Sequence, residues 1–247
     1  MKQRMKKITV CLLLFTMVLQ LTACSIFESK NKKYAAYVTS LLDANYKGTF
    51  ETFLEMTESD QEAVETAYNE GIEHLTNSLI AYYGIELVDD GSLREEFVAL
   101  TKKIYAATKY EVKPAVKSGD SYTVEVLIYP IDILQSTYDD VIAYIENFNK
   151  KKEAGDFDEY EIEQYETEFA KGILDILNKA ADNMGYLDYT STIVSILTEG
   201  DTYYISDEDF TKLDNQLIAQ VEDTSETTEE VTEEASTEKA PGINDTE

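Results

Sequence analysis

Tyr110-Glu111-Val112-Lys113-Pro114-Ala115-Val116-Lys117-Ser118-Gly119-Asp120-Ser121-Tyr122-Thr123-Val124-Glu125-Val126-Leu127-Ile128-Tyr129 is the stretch in which the hydrophobic period of this chain changes. Upstream, apolar residues return every three or four positions. Here Tyr122, Val124, Val126 and Ile128 fall on every second position, the spacing of a strand with one buried face. Ser118-Gly119-Asp120 supplies turn chemistry in the middle, so the stretch reads as a β-hairpin of strands 110–117 and 121–129. Pro114 has no N–H to offer a ladder, which puts the first strand at a sheet edge or on a bulge.

Downstream the pattern recurs. Residues 189–198 and 202–205 flank Glu199-Gly200-Asp201 and read as a second hairpin. Gly119-Asp120-Ser121-Tyr122 and Gly200-Asp201-Thr202-Tyr203 open the returning strands alike, through either a duplication or the commonness of Gly-Asp turns. The four strands are expected to form one small antiparallel sheet packed by helices on one face.

Helical spacing fills the remainder. Tyr34, Val38, Leu41 and Leu42 share a face that ends at Tyr46-Lys47-Gly48, with Gly48 suited to a left-handed terminus. Residues 49–56 read as a short helical or irregular piece. Ser59-Asp60-Gln61-Glu62 reads as a capping box before the stripe Val64, Tyr68, Ile72, Leu75, Leu79 and Tyr82. Asp89-Asp90-Gly91 marks a turn, and Ser92 to Glu95 a second box, before Leu93, Phe97, Leu100 and Ile104. Ser136 is expected to cap a helix with Tyr138, Val141, Ile145 and Phe148 inside, closed by Lys150-Lys151-Lys152. A helix over 157–183, capped by Asp156, would bury Ile162, Tyr165, Phe169, Ile173, Ile176 and Ala180. A last short helix starts at Ser206 with Phe210 and Leu213 inside. The fold class is therefore α+β, a helix-rich single domain over 34–215.

The N-terminus carries Lys2, Arg4, Lys6 and Lys7, then an apolar run from 8 to 21, then Leu21-Thr22-Ala23-Cys24. Basic start, short apolar region and small residues before a cleavage point describe a signal peptide over 1–23. About 14 apolar-region residues are short for a bilayer span, which needs roughly 20. Leu21-Thr22-Ala23-Cys24 resembles the lipobox of bacterial lipoproteins. That resemblance implies cleavage between Ala23 and Cys24, and a diacylglyceryl group on the Cys24 thiol as an anchor at the extracytoplasmic face of the cell membrane. Residues 24–33 would then be the lipidated Cys and a short linker. Cys11 would leave with the signal peptide, so the exported domain would have neither free thiol nor disulfide.

Charge divides along the same lines. The whole chain is at −28, from 49 acidic and 21 basic residues. Without the four basic residues of the signal segment it stands at −32. Val221 onward holds ten acids and one lysine, leaving −23 on residues 24–220. The Glu-, Ser- and Thr-rich stretch over 216–247 is expected to be an acidic disordered tail. Such a balance excludes a nucleic-acid partner, since phosphate binding needs clustered Lys and Arg. It leaves an envelope protein or ligand, of cationic character, as the expected partner. Anionic lipids should repel the domain as a whole, so the lipid on Cys24 must hold it.

No nucleophile elbow, zinc-protease motif, P-loop or dinucleotide-binding glycine pattern is present. His74 is the single imidazole and is expected at the surface of its helix. Asp156, Asp158 and Glu161 lack the spacing of a calcium loop, and Asp207-Glu208-Asp209 suits a helix start. No catalytic, cofactor-binding or metal-ligating residue is assigned. Tyr34, Tyr37, Tyr46, Tyr68, Tyr82, Tyr83, Tyr105 and Tyr110 lie on or beside apolar faces, where they either line a groove or pack a core without tryptophan.

The run from Tyr34 to Gly48 resembles the mature start of uncharacterised lipoproteins of Gram-positive bacteria. Gly200-Asp201-Thr202-Tyr203-Tyr204-Ile205 with Asp209-Phe210 resembles the last strand of such domains, some of them similar to cone-shaped α+β folds of the nuclear-transport-factor-2 type. The helical insertion between the hairpins departs from that pattern. The reading is a membrane-anchored, non-enzymatic binding or interaction module of the cell envelope. Its alternatives are a structural tether with no ligand, a transporter's solute-binding lipoprotein, which would want two α/β lobes, and a carboxylate-dependent hydrolase.

Overall fold

A computed structural model describes residues 30–87, 91–119, 121–199 and 202–221. The signal segment, Ala23 and Cys24, Asp89-Asp90, Asp120, Gly200-Asp201 and the tail beyond Val221 lie outside the described residues.

The period-two segments form one antiparallel sheet. Its strands are β1 (Lys109–Val112), β2 (Val116–Ser118), β3 (Ser121–Tyr129), β4 (Thr190–Glu199) and β5 (Thr202–Ile205), in the order β1-β3-β4-β5, with β2 also on β3. The hairpins join through β3 and β4, where Val124 lies opposite Val194 and Val126 opposite Thr192. Pro114 divides the expected first strand in two. Lys113 still donates its N–H to the Glu125 carbonyl at 2.8 Å, but the Ala115 N–H turns away to the Asn31 carbonyl at 3.1 Å. The edge therefore resumes as β2 only after a break, as a residue without a ladder donor requires.

Eight α-helices accompany the sheet among the described residues: α1 (Lys30–Leu42), α2 (Glu51–Thr57), α3 (Gln61–Tyr82), α4 (Gly91–Ala106), α5 (Ile133–Ser136), α6 (Tyr138–Glu153), α7 (Ile162–Ala181) and α8 (Asp207–Asp214). The domain is α+β. Helix α1 packs on β1 and β3, while α4 bridges α3 and α7, and α6 lies on α7. Val124, Val126 and Ile128 of β3, with Val194 and Ile196 of β4, are at most 1% exposed and face this helical side. α1 continues as a π-helical turn, Asp43–Lys47, closed by Gly48 at φ 64. A Cβ at Gly48 would also meet the Tyr68 ring at 3.0 Å, so both backbone and space favour glycine there.

Several helix starts differ from the sequence expectation, each for a local reason. Asp60, rather than Ser59, caps α3 by accepting from the Ala63 N–H, while Ser59 pairs its hydroxyl with Thr57. Ser92 lies inside α4, which begins at Gly91. Thr137 precedes α6, and Ser136 closes α5 instead. Helix α7 starts at Ile162 because Glu161 and Gln164 form a reciprocal box, leaving Phe157 in a turn against Phe148 at 4.7 Å. Tyr138 and Ile162, expected inside, are 41% and 64% exposed. The buried face of α7 is Ala170, Ile173, Leu174, Leu177 and Ala181, a rotated version of the expected stripe.

The packed region also exceeds 34–215. Lys30 to Lys33 already belong to α1. Beyond α8 the chain runs beside Ile131, whose N–H donates to the Leu217 carbonyl at 2.9 Å and whose carbonyl accepts from Ala219 at 2.8 Å. Leu217 and Ala219 are buried. Residues 216–221 therefore form a strap of the domain, since their backbone groups find partners and two apolar side chains leave water.

Candidate functional site

Among the described residues the helices pack on one side of the sheet; on the other, Leu127 is buried and Ile193 is exposed. Alternation fixes which residues face out: Thr123 and Glu125 on β3, then Ser191, Ile193, Ser195 and Leu197 on β4. Glu125 lies opposite Ile193, and Leu127 opposite Ser191. An outward face of an antiparallel sheet is normally polar. Here Ile193 is 63% exposed and Tyr189, just before β4, is 55% exposed.

At the β1 end, aromatic rings extend this face. Tyr129 and Tyr189 meet edge to face at 5.7 Å between centroids. Lys109 places its ammonium 4.4 Å from the centre of the Tyr129 ring and 5.4 Å from that of Tyr186, within cation–π range. Tyr186 is held by its hydroxyl, which donates to the Ala107 carbonyl at 2.8 Å. Lys113 pairs with Glu111, and Ser191 donates to Glu125 at 2.7 Å. The face thus combines a few fixed polar groups with uncovered apolar area.

Three further features bear on chemistry. His74 sits on α3 along a shallow open groove with Thr66, Asn69, Glu70, Glu73 and Asn77. Its Nε2 is buried without a hydrogen-bond partner among the described residues. The expectation of a surface histidine is thus only partly met. Glu161 is engaged in capping α7. In the acidic triplet, Asp209 is 8% exposed and ties α8 to the sheet, accepting from the Ser195 N–H at 2.8 Å and from Lys212 at 3.1 Å. Glu208 pairs with Lys212 at 3.0 Å. Among the described residues no group of three or more His, Cys, Asp and Glu is placed to hold a metal ion.

The tyrosines divide differently from a groove lining. Tyr37, Tyr46 and Tyr105 are buried in the core. Tyr34 contacts Tyr122 at 4.7 Å and Tyr203 at 5.3 Å between centroids, joining α1 to the sheet. The exposed rings of the open face, Tyr186 and Tyr189, are not among the tyrosines that the sequence reading singled out.

Sequence reasoning also passed over Asp214. This carboxyl is 6% exposed and accepts a hydrogen bond from the Tyr46 hydroxyl at 2.5 Å. Burial pushes its pKa up to about 7, against the opposing effect of the Tyr46 hydrogen bond. Tyr46 is shifted well above the usual phenol range, first by burial and then by Asp214. A second such pair lies nearby: Tyr110 donates to Asp43 at 2.5 Å, and Lys47 approaches the same carboxylate at 2.9 Å. The first pair is buried and the second partly buried, and each ties the end of α1 to another part of the fold.

Among the described residues no helix is long and apolar enough to cross a membrane. Ala23 and Cys24 lie outside the described residues. No family model matches the chain. Nor does any curated protein match it. A solved structure with a similar fold is that of YcdA from Bacillus subtilis, a protein assigned provisionally as a lipoprotein. The two superpose with a TM-score of 0.53 at 14% sequence identity, over 76% of this chain and 56% of that one. The chain therefore spans little more than half the length of that protein, and the likeness is one of fold.

Proposed function

We propose that this chain is a lipid-anchored protein of the cell envelope whose domain is a non-enzymatic binding module, with the open face of the sheet as its docking surface. The observation that carries the docking surface is the exposure of Ile193 and Tyr189 on a face that no helix among the described residues covers. Protein interfaces favour an apolar, aromatic centre with a polar rim, and Tyr129, Tyr189, Ile193 and Leu197 supply such a centre. The net charge of −23 on residues 24–220 sets the complement, a partner protein with an apolar centre and a cationic rim. The anchor rests on Leu21-Thr22-Ala23-Cys24 behind a basic and apolar leader. The resemblance in fold to a protein assigned as a lipoprotein is consistent with it.

The test is a photo-crosslinking residue at position 193 in the full chain, expressed in its own membranes. The expected result is one adduct with a basic envelope protein, weakened by salt, lost with Tyr189→Asp, and absent when the probe is moved to position 171. The captured partner, purified, should bind the wild-type chain and not the Tyr189→Asp variant. Equal adducts from both positions would refute the docking surface. Turnover of a cell-wall substrate by the purified chain, abolished by one carboxylate substitution, would refute the non-enzymatic reading.

A further inference from the structure

The first described residues of α1 are basic: Lys30, Lys32 and Lys33 stand there with no acid between them. In a chain with more than two acids for each base, three lysines in this place are an anomaly.

A fourth lysine joins them through the fold. The Ala115 N–H donates to the Asn31 carbonyl at 3.1 Å, which brings the start of α1 beside the break before β2. Lys117 of β2 lies opposite Tyr122, and Tyr122 contacts Tyr34 at 4.7 Å between ring centroids. Lys30, Lys32 and Lys117 are exposed and Lys33 is half-buried. Among the described residues none of the four pairs with a carboxylate, a state they share with Lys102, Lys109, Lys150, Lys152, Lys171 and Lys179, whereas Lys47, Lys103, Lys113, Lys151, Lys212 and Arg94 do pair. Next to Lys117, Val116 is 63% exposed on the edge strand. Glu28 and Asp120 are the acids nearest to these lysines in sequence, and the antiparallel register also brings Glu199, at the end of β4, to this end of the sheet. The face is therefore a cluster of lysines rather than a region free of acids.

Position supplies the occupant. Five residues separate Cys24 from Lys30, and a chain of that length reaches at most about 20 Å. We infer that Lys30, Lys32, Lys33 and Lys117, with Val116 at their edge, form a face that rests on anionic lipid headgroups and orients the anchored domain. This rests on the lipid-anchor reading given above. Lysines near an anionic leaflet are attracted within a Debye length, about 8 Å, while acids further out are screened. The domain would stand with this end down. Lys109 lies opposite Tyr129, at the far end of β3 from the β2–β3 turn. It would be roughly 25–30 Å further out, the length of a nine-residue strand.

The test uses the chain from Cys24 to Glu247, coupled through Cys24, its single thiol, to maleimide lipid in vesicles. One set of vesicles is phosphatidylcholine alone, and the other contains phosphatidylglycerol as well. Lysine acetylation rates are read residue by residue by mass spectrometry. The expected result is that Lys30, Lys32, Lys33 and Lys117 react about threefold more slowly on the anionic vesicles. Lys103 and Lys109 should keep their rates, and raised salt should remove the difference. Equal rates on both vesicles, or slowing spread over all lysines, would overturn the inference. Because the coupling replaces the native lipid, this result does not depend on native lipidation of Cys24. Loss of the anchor reading would show instead as absent palmitate labelling in cells. Replacing the four lysines by Gln, with an unchanged far-UV spectrum, should equalise the Val116 backbone amide exchange rates between the two vesicles. Persistent protection there would also overturn it.

Discussion

Tyr46 donates its hydroxyl hydrogen to Oδ1 of Asp214 at 2.5 Å, a contact between residues 168 positions apart. It joins the π-helical turn after α1 to the end of α8, from which the C-terminal strap departs. Tyr105 and Phe210 both stack with Tyr46, with centroids 6.1 and 6.0 Å away. Oδ2 of Asp214 is buried with no partner among the described residues. The carboxyl therefore depends on one donor. Tyr46→Phe should destabilise the fold by about 2 kcal/mol, the cost of leaving a buried polar group unsatisfied. Chemical denaturation would measure it, and an unchanged midpoint would contradict this account of the pair.

The same carboxyl should make stability depend on pH. Burial raises its pKa to about 7 from an ordinary 3.8. Between those values the folded chain keeps a proton that the unfolded chain releases. Stabilisation from this site is then complete below about pH 4 and disappears as pH rises through 7. Its upper limit is roughly 4 kcal/mol, since one pKa unit is worth about 1.4 kcal/mol. Asp214→Asn removes the titration, so wild type should lose stability relative to that variant between pH 4 and 8. Comparing the two cancels the general repulsion among the many other acids. Parallel curves would show that Asp214 titrates normally.

Helix α7 offers a test of close packing. A Cβ added at Gly172 would overlap the ring of Tyr144 on α6. The Tyr144 hydroxyl meanwhile donates to the Glu168 carbonyl at 2.9 Å, so the ring has little room to retreat. Intrinsic propensity favours Ala over Gly in a helix by about 1 kcal/mol. Overpacking costs about 1–3 kcal/mol and should win, so Gly172→Ala is expected to destabilise. In a Tyr144→Ala background the sign should reverse. A double-mutant cycle on thermal midpoints tests this, and additivity would exclude the clash.

What the sequence conveyed follows from how local each cause was. Alternation in Tyr122 to Ile128 defined β3, and Pro114 marked its neighbour as an edge or bulged strand, though not as two strands. Gly48 and Ser206 marked helix limits because their backbone or side chain acts within a few residues. Ser59 failed as a cap because Asp60 stood beside it with an equally suitable carboxylate. Asp214 was silent because an aspartate at the end of a polar helix resembles any solvated one, and its hydrogen-bond partner is a tyrosine 168 residues away. Ile193 gave one faint sign. Ile193-Val194 and Ile196-Leu197 put apolar residues at both parities of β4, so one of each pair had to face away from the helices.

That doubled parity motivates a prediction for the open face. Ile193→Asp should change stability by less than about 0.5 kcal/mol, as expected for a surface position. Val194→Asp, at a residue 0% exposed, should prevent folding or cost more than about 4 kcal/mol. Expression and thermal melts of the two variants distinguish the faces. Equal damage from both would mean that something in the folded chain covers Ile193.

The anchor can be tested apart from every feature of the domain. A single myristoyl-sized chain binds a bilayer only marginally, whereas a diacyl group holds it firmly. If Cys24 carries such a group, Cys24→Ala should shift the chain from the membrane pellet to the soluble fraction and abolish palmitate labelling. The domain should melt at the same temperature in both forms, because Cys24 lies six residues before the first turn of α1. Replacing Lys30, Lys32, Lys33 and Lys117 by Gln should leave the chain in the pellet, since headgroup contact orients the domain and the acyl chains retain it. Release by the lysine variant alone would mean that charge holds the protein to the membrane. Retention of Cys24→Ala, with no label in wild type, would mean that the leader itself is the membrane segment.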